Sequence, residues 1–99
     1  MNKEQEILKY SNPKKVKEIA NDIFADIPFQ LELSTRKNKK YMITGEFTNN
    51  KWVHFGQMNY EDFTKHKDHI RRNNFANRNR AWRNKPINTP AFLSYNLLW

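Results

Sequence analysis

His54, Asp62, His66, Asp68 and His69 place ionisable side chains at spacings that could support catalysis. On a helix, Asp62 and His66 stand four apart, which sets a carboxylate beside an imidazole that it could orient. His54, from a neighbouring strand, could then complete a general-base pair or a three-ligand metal centre of the kind a small nuclease uses. The same spacing is also that of a local Asp–His ion pair. His54 could simply pack beside Trp52, and no dense carboxylate cluster accompanies these residues. No catalytic residue, cofactor or resident metal is therefore expected, and a metal-dependent nuclease built on His54, Asp62 and His66 is kept as an alternative.

A second chemistry is written more densely. Residues 63 to 85, FTKHKDHIRRNNFANRNRAWRNK, hold eight Lys or Arg residues, two His and a single acid, Asp68. Arginine supplies planar, permanently charged forks that match phosphate oxygens, and Asn73, Asn74, Asn77 and Asn79 add neutral donors. Lys65, Arg71, Arg72, Arg78, Arg80 and Arg83 are the expected phosphate contacts, with Lys39 and Lys40 as an auxiliary patch on a hairpin. A solvated helix face without a ligand would normally mix charge signs, and here compensating acids are nearly absent. Trp52, Trp82 and Trp99, with Tyr41, Tyr60 and Tyr95, could stack on unpaired bases or could be core. There is no zinc-finger spacing, RNP-type aromatic motif, P-loop or clear helix-turn-helix, so any contact should fall mainly on nucleic-acid backbone with weak sequence preference.

The whole composition points the same way. The chain has 99 residues and a formal charge of +8. Residues 1–50 carry nine basic and seven acidic side chains, while residues 51–99 carry nine and three. So unequal a distribution implies an anionic partner: nucleic acid, a membrane surface or an acidic protein. With no cysteine, disulfide and thiolate chemistry are excluded. The N-terminus lacks the apolar run of a signal peptide, and no stretch approaches the roughly 20 apolar residues of a membrane span. A soluble, non-secreted protein is expected.

These residues need elements to hold them. Ser11-Asn12-Pro13 is a capped helix start, and Val16, Ile19, Ala20, Ile23, Phe24 and Ile27 form a helical apolar stripe that Pro28 should end. FQLELS (29–34), KYMITGEF (40–47) and KWVHFG (51–56) alternate as strands, with Asn49-Asn50 suited to a tight turn and Gly45 and Gly56 at a close approach and a strand exit. Asn59 should cap a long amphipathic basic helix in which Phe63, Ile70 and Ala81 share one side, broken if anywhere near Asn73-Asn74 or Asn77. Thr89-Pro90 opens a short apolar C-terminal helix. The expected architecture is α+β: an N-terminal amphipathic helix, a three-stranded antiparallel sheet, a long basic helix and a short apolar C-terminal helix. Residues 1–10 should form a short helix or fray, and 11–99 a single domain.

The strings STRKNKKYMI, KWVHFGQMNYEDFTKHKDHIRRNNFANRNRAW and TPAFLSYNLLW resemble an uncharacterised family of small basic proteins encoded by nucleocytoplasmic large DNA viruses, the mimivirus-like giant viruses and their relatives. The likeness runs from Asn12 to Trp99, and it is most specific in HFG (54–56), YEDFTKHKD (60–68) and LLW (97–99). Members often carry Gly at the position of Asn59 and an Arg-His pair at Arg78-Asn79. The resemblance implies a viral origin and a place in the virion or in the cytoplasm or nucleus of an infected cell, and it brings no catalytic residues with it. The expected function is nucleic-acid binding, with genome packaging as one setting for it. The alternative is a minor capsid or virion cement protein that contacts capsid proteins or itself through residues 90–99, if that apolar segment does not simply close the core.

Overall fold

The computed structural model describes residues 2–99. Its first element is the short helix among the two expectations for residues 1–10, with Met1 outside the described residues. Helix α1 (Lys3–Ile7) is capped by Asn2, whose side chain accepts the Gln5 amide at 2.9 Å. Ile7 is only 1% exposed. Lys3 fastens the helix to the sheet, because its Nζ donates to the carbonyls of Ser34, Arg36 and Lys39 at 2.6, 2.6 and 2.5 Å.

Helix α2 (Pro13–Ile23) begins as expected, with the Asn12 side chain accepting the Lys15 amide at 3.2 Å and Pro13 in the first turn. It buries Val16, Ala20 and Phe24, a clean i, i+4, i+8 row. The helix ends at Ile23, short of Pro28, because Phe24 leaves helical geometry to stack on Phe47 at 4.9 Å between ring centroids. Ile23 and Ile27, expected in the apolar stripe, are consequently exposed.

Strands β1 (Gln30–Leu33), β2 (Lys39–Thr44) and β3 (Val53–Gln57) pair antiparallel in chain order. The register aligns Leu31, Ile43 and Val53 in one row across the sheet and Leu33, Tyr41 and Phe55 in the next. Side chains alternate by face, so these two rows form one apolar surface, and the row Glu32, Met42, His54 belongs to the other. Between β2 and β3 the chain turns through a short 3-10 segment, Glu46–Thr48, and through Asn49 and Asn50, both left-handed at φ 57° and 59°.

The expected long basic helix is three pieces. Helix α3 (Phe63–His66) stops at Lys67, which adopts φ 55°. Asp68 then starts α4 (His69–Arg78) afresh, its carboxylate accepting the amides of Ile70 and Arg71 at 2.9 and 3.2 Å. At the far end the Asn79 side chain donates to the Phe75 carbonyl at 3.1 Å, and a 3-10 turn, Arg80–Asn84, follows. The breaks fall at Lys67, which was not expected, and at Asn79, two residues beyond the expected Asn77, with none at Asn73-Asn74. The break at Lys67 changes the helical phase, so Ile70, placed on the buried side of a continuous helix, is 74% exposed. Asn59 is not the cap; it is a left-handed turn residue at φ 74°.

Thr89 and Pro90 open α5 (Pro90–Leu93), which continues as one wider turn through Ser94–Leu98. Leu93, Leu97 and Leu98 are buried between β3, α5's own turn and α2. Gly56 makes this seat possible. Its φ is 78°, and a Cβ there would lie 2.7 Å from Leu98 Cδ1. Among the described residues no helix is long and apolar enough to cross a membrane.

Candidate functional site

Behind the basic segment lies a buried polar chain that fixes where it starts. Lys40, at the beginning of β2, is 2% exposed and Asp62, just before α3, is 0% exposed. Lys40 Nζ donates to Asp62 Oδ2 at 3.0 Å and to the Tyr60 carbonyl at 2.6 Å. The other carboxylate oxygen of Asp62 accepts the Thr64 hydroxyl. Thr64 Oγ1 lies 3.2 Å from Ser11 Oγ, and Ser11 accepts the Tyr41 hydroxyl at 2.6 Å. Burial pushes the Lys40 ammonium below its ordinary pKa despite the attraction of Asp62, and burial raises the Tyr41 phenol. Lys40 was expected on the hairpin surface as an auxiliary phosphate contact. The structure corrects this: its charge is already neutralised inside the protein, and Lys39 alone keeps a half-exposed position at that edge.

The remaining expected phosphate contacts are all at the surface. Lys65 lies on α3, Arg71, Arg72 and Arg78 on α4, and Arg80 and Arg83 on the turn after it, every one exposed. Arg71 meets Glu61, with Nη1 3.4 Å from Oε2 in a half-exposed pair. Lys65, Arg72, Arg78, Arg80 and Arg83 have no carboxylate within 4.0 Å among the described residues. On α4, Arg71, Asn74 and Arg78 stand at i, i+3 and i+7 and form one row. Arg72 points about 100° away from Arg71 and covers the Phe63 ring at 4.6 Å. The charges therefore divide between two sides of α4.

The row on α4 borders a groove of about 490 Å³, shared with Tyr60, Glu61, Asn77 and Trp99. Next to it, and sharing Tyr60, Glu61, Arg78 and Trp99, is an aromatic cleft of about 460 Å³ that also takes in Lys39, Phe75 and Trp82. Its back wall is the Phe75–Trp99 stack, whose rings are 4.4 Å apart and 5° from parallel. Trp82 stands edge-on to Phe75 at 5.9 Å. Tyr60, at the mouth, is 64% exposed. Of the aromatic side chains singled out from sequence, Tyr41 is core, Trp52 is an exposed residue on the far hairpin and Tyr95 packs on Phe75. Tyr60, Trp82 and Trp99 are the ones that converge. Helical phase already sets Phe75 on the side of Tyr60 and Trp82, but it gives no sign of Trp99 or Glu61 beside them, since the cleft exists only once the C-terminus folds back on α4.

The three residues of a possible nuclease centre are not brought together. Asp62 is engaged by Lys40 and Thr64, and His54 Nδ1 lies 2.6 Å from Ser34 Oγ on the sheet. His66 Nδ1 accepts the Asp68 amide at 2.9 Å, so a neutral ring carries its proton on Nε2. That Nε2 is buried without a hydrogen-bond partner among the described residues, and the ring packs against Trp99 at 5.2 Å. Desolvation holds both imidazoles below their ordinary pKa, reinforced at His54 by Arg36 and at His66 by Arg71. No group of three His, Cys, Asp or Glu residues able to hold a metal ion occurs among the described residues.

Part of the apolar segment 90–99, the alternative contact for capsid proteins or self-association, is used within the chain, while Phe92, Tyr95 and Trp99 stay half-exposed. Leu93, Leu97 and Leu98 close the core, and Trp99 is held by Phe75 and His66.

The model of a family of unknown function (DUF5754) matches residues 29–79. That span runs from the sheet through α3 and α4 and contains Lys40, Asp62 and the Arg71-Asn74-Arg78 row. No curated protein and no solved structure matches the chain.

Proposed function

We propose, for a chain that belongs to the DUF5754 family and takes no activity from it, that the protein binds nucleic acid through the phosphate backbone. The contacts are Lys65, Arg71, Arg72, Arg78, Arg80 and Arg83, with Lys39 at the sheet edge. One observation carries this reading: five of these exposed cations, Lys65, Arg72, Arg78, Arg80 and Arg83, have no carboxylate partner among the described residues, although the fold does neutralise Lys40 and half-neutralise Arg71. Unpaired surface cations gathered in one segment repel one another, and a polyanion relieves that repulsion while releasing its own condensed counterions. The resemblance to viral proteins adds a setting, the packaging or handling of a viral genome.

Titration of a fluorescent duplex at several salt concentrations tests the reading. Counting only the five cations without a carboxylate partner, one phosphate each gives a slope of about −4.5 in log K against log salt, at about 0.9 per phosphate. Arg78→Ala combined with Arg83→Ala should bring the slope to about −2.7. Absence of binding at low salt, or a salt-independent affinity, defeats the proposal. The setting is checked separately, by whether viral nucleic acid co-purifies with the protein from infected cells.

A further inference from the structure

We propose that the aromatic cleft between α4 and the C-terminal helix takes an unpaired nucleobase, so that the protein prefers single-stranded nucleic acid to duplex. This rests on the nucleic-acid reading above and specifies its substrate.

The cleft and the basic groove are contiguous, with Tyr60, Glu61, Arg78 and Trp99 bordering both. The groove offers Arg71 and Arg78 to phosphates and Asn74 and Asn77 as neutral donors. The cleft, one step aside, is lined by aromatic side chains: the exposed Tyr60, and Trp82 and Trp99 packed against Phe75. At about 460 Å³ it falls within the range of small-ligand pockets, and its aromatic lining suits a planar group.

Charge decides what kind of planar group. Of the ionic side chains lining the cleft, Lys40 is paired with Asp62 and Glu61 with Arg71. Lys39 and Arg78 are left, so the rim is cationic and disfavours an organic cation. A nucleotide is an anion carrying a flat ring, and it fits both features. A duplex keeps its bases stacked and paired and can present only their edges, whereas an unpaired strand can lay phosphates along α4 and turn a base into the cleft.

The test compares a single-stranded 12-mer, a duplex of the same sequence and a mononucleotide, with tryptophan fluorescence as a second readout. Expected are tighter binding of the single strand than of the duplex by on the order of tenfold, quenching on single-strand binding, and loss of that preference in Tyr60→Ala and Trp82→Ala. Tyr60 is largely exposed, so its replacement tests the cleft even if the Trp82 variant fails to fold. Equal affinity for the two strands, with no effect of Tyr60→Ala, overturns the cleft assignment while the phosphate reading stands. A mononucleotide that binds as tightly as the 12-mer overturns the assignment to a strand. No binding of any polymer at low salt removes both proposals.

Discussion

Removing one half of the Lys40–Asp62 pair should come close to unfolding the protein, whereas removing both halves should not. At 3.0 Å, two unit charges attract by about 5–6 kcal/mol at an effective dielectric of about 20. Asp62→Ala leaves the Lys40 ammonium buried with only the carbonyls of Tyr60 at 2.6 Å and Tyr10 at 3.4 Å. The loss has a ceiling, because the ammonium can shed its proton. From the ordinary value of 10.5, deprotonation at pH 7 costs about 5 kcal/mol, at about 1.4 kcal/mol per unit. Lys40→Met strands the carboxylate instead, with Thr64 as its remaining side-chain donor.

Each single variant should therefore lose about 3–5 kcal/mol, out of a total that for 99 residues is about 5–15 kcal/mol. The corresponding fall in Tm is on the order of 15–30 °C. Lys40→Met/Asp62→Leu buries no charge, and Thr64 can turn its hydroxyl to Ser11 Oγ, 3.2 Å away. This double variant should lie within about 2 kcal/mol of the parent, giving a coupling energy of several kcal/mol. Urea unfolding of the four proteins measures the cycle. The Asp62→Ala loss should also shrink with rising pH. Below 10.5 the unfolded chain holds the Lys40 proton that the folded variant sheds, so unfolding takes up a proton and becomes less favourable as pH increases. Single variants within about 1 kcal/mol of the parent, or a double variant equal to the sum of the singles, would refute the reasoning.

Gly56→Ala should cost about 2–3 kcal/mol, since it forces a side chain into the left-handed region and against Leu98. Leu98→Ala in the same chain removes the clash but not the strain, so denaturant unfolding should show a less than additive double variant. In acid, His54 and His66 should weaken the fold. Their folded pKa values lie below the ordinary 6.5, mainly because burial penalises the imidazolium. The unfolded chain therefore takes up protons first as pH falls below 6.5, and the stability present above that value is lost as pH falls through the folded values. Thermal melts from about pH 7.5 to about pH 4.5 should show this decline, and His66→Gln should flatten part of it.

What the sequence made legible is local. Asn12-Pro13, Asn49-Asn50 and Thr89-Pro90 act through their own φ angles and side-chain oxygens within three residues, and the elements begin or turn there. The alternation in 29–34 and 40–44 survives into the sheet because the rows Leu31–Ile43 and Leu33–Tyr41 need only neighbouring strands. What stayed hidden is the work of partners far along the chain. Lys40 looks like a surface charge until Asp62, twenty-two positions later, is turned inward to meet it. That inward turn fixes the start of α3, and the break at Lys67 follows from a local cap at Asp68 that competes with a helix pattern extending through it.

The same long-range folding decides what the basic segment can do. A continuous helix would have buried Ile70, which the break at Lys67 leaves exposed. Within α4 itself the 100° step per residue sends Arg72 to one side with Phe63 and keeps Arg71, Asn74 and Arg78 on the other, where the returning C-terminus sets Trp99 beside them. Charge alone would serve any polyanion equally. It is the seating of Trp99 on Phe75, made possible by Leu98 resting against a glycine that has no Cβ, that puts aromatic surface within reach of the arginines. A change at Gly56 that unseats Leu98 without unfolding the chain should therefore erode single-strand preference before it erodes the salt slope. The cleft depends on the position of the C-terminus, and the arginine row depends only on α4.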